Sequence, residues 1–100
     1  MKTENIIKEK KGTIIDVRTA AEFRRGNVVG SINIPLQEIP QRINELKGLK
    51  QPLVLCCASG NRSGQANSIL QQHGIDSLDG GSWITVNGIQ NQTIEKSQII

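Results

Sequence analysis

The chain has 100 residues, enough for one domain with one core. Apolar residues make up 36% and aromatic residues 2%, which excludes a disordered middle and leaves a core of Ile, Leu, Val and Ala with Phe23 and Trp83 as its large rings. The formal charge of +3 sits on scattered Lys and Arg without interleaved aromatic rings, an argument against a nucleic-acid surface that suits a small anionic substrate equally well.

Met1 to Lys8 is polar and lacks an apolar export segment, and no stretch is long and apolar enough to cross a bilayer, so a cytoplasmic protein without a membrane partner is expected. The two cysteines, Cys56 and Cys57, are adjacent, which matches neither a disulfide framework nor metal-ligand spacing. Asn5 to Lys11 is short and charged, a helical turn or an edge strand, and Gly12 ends it. Thr13 to Ile15 reads as a buried strand with Asp16-Val17-Arg18 as its exit. Thr19 and Glu22 form a capping box for a short helix through Arg24, stopped by Gly26. Ile32 to Ile34 is a second strand, closed by Pro35. Leu36, Ile39, Ile43 and Leu46 then have the spacing of one amphipathic helix, with Pro40 near its start and Gly48 at its end. Leu53 to Cys56 is a buried strand. The loop Cys57 to Ser63 leads into a helix over Ser63 to His73, with Ala66, Ile69 and Leu70 inward and Gly74 as its left-handed stop. Ile75 to Leu78 is a last strand, and residues 89–100, rich in Gln and Asn, read as a loose tail. The alternation of strands and helices predicts an α/β fold with a mainly parallel sheet flanked by helices, in a single domain over 1–100.

The chemistry concentrates at Cys57. Unpaired N–H groups at a helix start stabilise an anion, a neighbouring cation such as Arg62 adds to this, and Gly60 permits the backbone turn that folds N–H groups inward over a sulfur. Ala58, Ser59, Gly60, Asn61 and Arg62 are therefore the candidate cradle for a thiolate. Arg62 is expected to hold loop carbonyls or to attract the anion. Cys56 faces away from Cys57 because successive strand side chains alternate, and it reads as a small hydrophobe. In open parallel sheets ligands bind beyond the carboxyl ends of strands, which brings Asp16 and Arg18 near the loop. Arg18 supplies positive potential there while Asp16 holds Arg18 or Arg62, or else both only tie structure together. Ser63 is expected to cap the following helix, Glu22 to serve as a cap or ion-pair residue, His73 to cap the helix end and Trp83 to plug the core edge. The role of Ser59 stays open.

Cys57 to Ser63, C-A-S-G-N-R-S, resembles the active-site loop of single-domain rhodaneses. Three further stretches agree in order: Ile14-Ile15-Asp16-Val17-Arg18 with Glu22-Phe23, Gly30-Ser31-Ile32-Asn33-Ile34-Pro35, and Gly80-Gly81-Ser82-Trp83. The likeness spans about residues 12–84. It implies a rhodanese-like three-layer fold and a sulfurtransferase that carries sulfane sulfur from thiosulfate or a persulfide to cyanide, a thiol or a protein through a Cys57 persulfide. It implies no metal and no organic cofactor, and a monomer is expected. Members that act well on thiosulfate often carry a basic residue beside the cysteine where this chain has Ala58, which implies weaker attraction for that anion. The alternatives are a rhodanese-like sulfur carrier or protein-binding module and, lower in rank, a cysteine phosphatase or arsenate reductase. Those enzymes place five residues between cysteine and arginine, whereas four separate Cys57 from Arg62.

Overall fold

The computed structural model describes the backbone of residues 2–99 and the side chains of residues 3–92. Its helices are α1 (Lys2–Lys8), α2 (Ala20–Arg25), α3 (Ile43–Lys47), α4 (Asn61–Gln72) and α5 (Trp83–Ile99), and its strands are β1 (Thr13–Asp16), β2 (Ile32–Asn33), β3 (Leu53–Cys57) and β4 (Ser77–Ser82). The four strands form one parallel sheet in the order β2-β1-β3-β4. Parallel neighbours cannot be joined by tight turns, so each crossover passes over a face of the sheet and both faces are covered.

The apolar run Leu53 to Cys57 is buried at every position, as a central parallel strand requires. Its side chains alternate. Leu53, Leu55 and Cys57 join Ile15, Val17, Ile39, Leu46, Ala66 and Leu70 on one face, while Val54 and Cys56 join Ile6, Ile7, Val28 and Val86 on the other. The register pairs Asp16 with Cys56 and Cys57 with Ser82, and between Leu55 and Cys56 it slips past Gly80 through a bulge. A Cβ at Gly80 would stand 2.9 Å from Val54 Cγ1 and 3.1 Å from the Leu55 carbonyl oxygen, so the close approach of β4 requires glycine there.

Several local expectations are corrected. The segment from Leu36 to Leu46 is not one helix: two 3-10 turns, Leu36–Glu38 and Pro40–Arg42, precede the single helical turn of α3. Pro40 has no N–H to return to the Leu36 carbonyl, which instead accepts from Ile39 at 3.1 Å, the tighter 3-10 pattern. Ile39 and Leu46 nevertheless reach the core. Asn5 to Lys11 contributes to α1, with Ile6 and Ile7 buried. Cys57 belongs to the strand rather than the loop, α4 begins at Asn61, and the last strand is Ser77–Ser82 rather than Ile75 to Leu78. Residues 89–99 of the expected loose tail continue α5. Val86 and Gln90, one turn apart, are buried, and Ile89 packs against the second core cluster; side chains after residue 92 lie outside the described residues.

Candidate active site

β3 delivers Cys57 to the carboxyl edge of the sheet, and the chain turns back within three residues. Gly60 makes the turn at φ +101°, ψ −12°, a conformation closed to most L-residues, and immediately precedes α4. The reversal directs the Gly60 N–H onto Cys57 Sγ at 3.0 Å and the Ser63 N–H onto the same sulfur at 3.3 Å. Ser63 Oγ lies 3.5 Å away. Burial pushes the Cys57 thiol up, but hydrogen bonds from the Ser63 hydroxyl and from the N–H groups of Ser63, Gly60 and Ser59 outweigh it and leave the thiol below its ordinary range. Ala58, Ser59 and Asn61 form the exposed rim above the buried sulfur.

Cys56 has the opposite environment. Desolvation, aided by the negative charge of Asp16, pushes its thiol up to about 12. Adjacent residues of one strand thus carry thiols shifted in opposite directions.

Of the two roles expected of Arg62, holding loop carbonyls is not the one its hydrogen bonds show. Its guanidinium grips Glu22 of α2 with Nη1 to Oε1 at 2.7 Å and Nη2 to Oε2 at 3.1 Å, and among the described residues its side-chain hydrogen bonds run to Glu22 alone, not to loop carbonyls. Glu22 Oε1 also accepts from the Thr19 N–H at 2.9 Å, completing the capping box of α2. The Arg62 pair first, and the Thr19 N–H next, hold the Glu22 carboxyl down to about 2. Arg62 thus ties α4 to the helix beside the loop, and its charge still couples to Cys57 through space.

Asp16 and Arg18 form a separate buried pair. Arg18 Nη2 donates to Asp16 Oδ2 at 2.7 Å and to the Gly26 carbonyl at 2.7 Å, Nε donates to Asp16 Oδ1 at 3.0 Å, and the guanidinium lies 4.7 Å from the centroid of the Trp83 ring. This network locks the β1 exit to α2 and to the start of α5. Asp16 pairs with Arg18 and not with Arg62. Trp83 accordingly covers Arg18 and Gly26, and His73 stands exposed at the end of α4.

Ser63 does not cap α4: it is the third residue of the helix, buried, with Oγ 2.7 Å from Asp79 Oδ1 and 3.1 Å from the Gly60 carbonyl. Asp79, on β4, was not singled out from the sequence. The available signal was its place just before Gly80-Gly81, on the strand adjoining that of the cysteine. A cavity of about 330 Å³ lined by Ile6, Ile7, Val29, Val54 and Gln90 belongs to the other side of the sheet and does not reach Cys57. Among the described residues, no group of three or more His, Cys, Asp or Glu is arranged to hold a metal ion, and no helix is long and apolar enough to cross a membrane.

Four parallel strands flanked by helices, with a hydrogen-bonded cysteine on a strand-loop-helix turn, place the chain in the class of small parallel α/β domains. Comparison with known proteins makes the class specific: the sequence pattern of the rhodanese-like domain matches residues 2–82, and the chain belongs to that family. It is 41% identical over 75 residues to Uncharacterized protein YqhL of Bacillus subtilis, covering 72% of this chain and 59% of that one. It is also 41% identical over 61 residues to Thiosulfate sulfurtransferase PspE of Escherichia coli, covering 60% of this chain and 59% of that one. The chain therefore spans about three fifths of the length of these relatives. Among solved structures it resembles a rhodanese-related protein from Thermoplasma volcanium at a TM-score of 0.69 and 33% identity, covering 94% of this chain and 84% of that one. The expected family and fold are both confirmed.

Proposed function

We propose that the protein is a sulfurtransferase that moves sulfane sulfur from thiosulfate or a persulfide donor to a thiophilic acceptor through a persulfide on Cys57. The observation that carries this reading is the convergence of the Gly60 and Ser63 N–H groups on one sulfur, 3.0 and 3.3 Å away. The Cys57 thiolate attacks the outer sulfur of the donor. The donor's S–S bond breaks, its electron pair leaves with sulfite or a thiolate, and Cys57 keeps the outer sulfur. An acceptor nucleophile, cyanide, a thiol or a protein thiol, then takes that sulfur and the pair returns to Cys57. The N–H groups of the 58–62 loop and of Ser63 compensate the negative charge at each stage.

Donor preference follows from charge. Arg62 is shared with Glu22 and Ala58 brings no cation to the rim, so a persulfide of low charge suits the loop better than dianionic thiosulfate. The buried Asp16–Arg18 pair supports the site by fixing the β1 exit. A reducing, cytoplasmic setting keeps Cys57 available as a thiol. The test is intact-protein mass spectrometry after exposure to thiosulfate or glutathione persulfide, with Cys57→Ser and Cys56→Ser alongside, followed by cyanide. The expected result is a reversible gain of one sulfur atom, lost in Cys57→Ser and kept in Cys56→Ser. No gain from either donor refutes the reading. Loading that cyanide cannot discharge but a protein thiol can marks a sulfur carrier instead.

A further inference from the structure

The Ser63 hydroxyl has a single proton and three acceptors within reach. The Gly60 carbonyl, at 3.1 Å, already accepts the Gly64 N–H at 3.1 Å. Asp79 Oδ1, at 2.7 Å, is nearest and its carboxylate is the stronger acceptor. Cys57 Sγ, at 3.5 Å, is the third. While Asp79 holds the proton, Ser63 presents only lone pairs to the sulfur, an arrangement that welcomes an S–H and not a thiolate.

We propose that Asp79 is a positioning residue for Cys57: by competing for the proton of Ser63 it decides whether that hydroxyl meets the sulfur as acceptor or as donor. When Cys57 gives its proton to solvent, the Ser63 O–H turns from Asp79 to Sγ. Asp79 Oδ1 keeps the Gly81 N–H, 3.0 Å away, and solvent satisfies the exposed remainder of its carboxylate. The other charged groups around the sulfur are already paired, Asp16 with Arg18 on the β1 exit and Glu22 of α2 with Arg62 of α4. Cys56, on the same strand, faces the opposite core. Among the described residues no cation pairs with Asp79 in a salt bridge, and the Coulombic attraction between Arg62 and Cys57 is left in place when Asp79 is replaced.

The inference rests on Cys57 being the reacting thiol, but it is read without sulfur transfer. The readout is the ultraviolet absorbance of the thiolate against pH, with Cys57→Ser as baseline; the chain has no tyrosine to interfere. Asp79→Ala should lower the Cys57 titration midpoint by about one pH unit, the worth of one hydrogen bond gained by a charged sulfur. Asp79→Asn, which retains an acceptor for the Gly81 N–H should Ala disturb the strand, should move it less but in the same direction. In a Ser63→Ala background Asp79→Ala should shift the midpoint by under about a third of that, because only the through-space charge remains. An unchanged midpoint in Asp79→Ala and Asp79→Asn, or an equal shift without the Ser63 hydroxyl, overturns the proposal. Sulfur loading by the wild type with no shift in the Asp79 variants refutes the role of Asp79 alone. A wild type that fails to load while the shift appears refutes the transfer reading alone.

Discussion

Replacing Gly60 by Ala separates the loop's conformation from its chemistry. Space is no obstacle, since an added Cβ would meet only Gly81 Cα at 3.7 Å, an ordinary contact. The backbone is the obstacle: φ at Gly60 is +101°, well beyond the left-handed well near +57° that an L-residue tolerates. Occupying the left-handed region costs an L-residue about 1–2 kcal/mol, and stiffening of the unfolded chain offsets about 0.4–1 of that. Gly74 supplies the control, with φ +73° and no atom within 4 Å of an added Cβ. Gly74→Ala should cost about 1 kcal/mol and lower Tm by about 4–8 °C while leaving Cys57 untouched. Gly60→Ala should cost about 2 kcal/mol. In relaxing toward the allowed well it rotates its N–H away from Sγ, and loss of that hydrogen bond should raise the Cys57 midpoint by about one to two pH units. Thermal unfolding and thiolate absorbance against pH give both numbers from one pair of samples. If Gly60→Ala loses stability with the Cys57 midpoint unmoved, or if Gly74→Ala moves it equally, the Gly60 N–H does not hold the thiolate.

Two further outcomes test the charge arrangement. The folded-state carboxyl of Glu22, held at about 2 against an ordinary 4.5, contributes stability that is present above about 4.5 and is lost as pH falls through about 2. With Arg62 and Glu22 side chains 32% and 34% exposed, solvent screening limits that contribution to about 1 kcal/mol, so Glu22→Gln should lower stability by about this much at pH 7 and by nearly nothing at pH 2 in urea titrations. A constant difference across that range would show the pair to be electrostatically silent. The Asp16–Arg18 pair is buried, and Asp16→Asn leaves the guanidinium uncompensated beneath Trp83; a loss of about 3–5 kcal/mol in urea unfolding is expected, and a loss below 1 would show that the carbonyls of Gly26 and Glu22 suffice to hold Arg18.

What could be read directly from the sequence was local. The Thr19–Glu22 capping box, the Gly74 stop and the burial of Leu53 to Cys56 depend on residues within a few positions of one another, and all three are present in the fold. The spacing of Leu36, Ile39, Ile43 and Leu46 correctly marked an inward face but not the backbone beneath it, because the proline sits where a continuous helix needs a donor. In the site, Cys57 and the Gly60 turn were visible as a contiguous motif. The partner of Arg62 lies 40 residues away on α2, and the partner of Ser63 lies 16 residues away on β4. Neither pairing has a periodicity to betray it; each exists only because a parallel sheet gathers the carboxyl ends of its strands on one side. Glu22 could be marked as a cap or ion-pair residue, yet nothing local indicated that it does both and that Arg62 is its partner.

The extra residue opposite the step from Leu55 to Cys56 belongs to β4, not to the cysteine strand. An inserted residue inverts the alternation of the strand that carries it, so β4 changes face at Gly80 while β3 keeps its unbroken alternation and holds Cys56 and Cys57 toward opposite cores. The missing side chain at Gly80 lets that irregular step close against Val54 and the Leu55 carbonyl, and it works as a joint: Asp79 before it faces Ser63, while the chain beyond it is free to run on to Trp83 and α5.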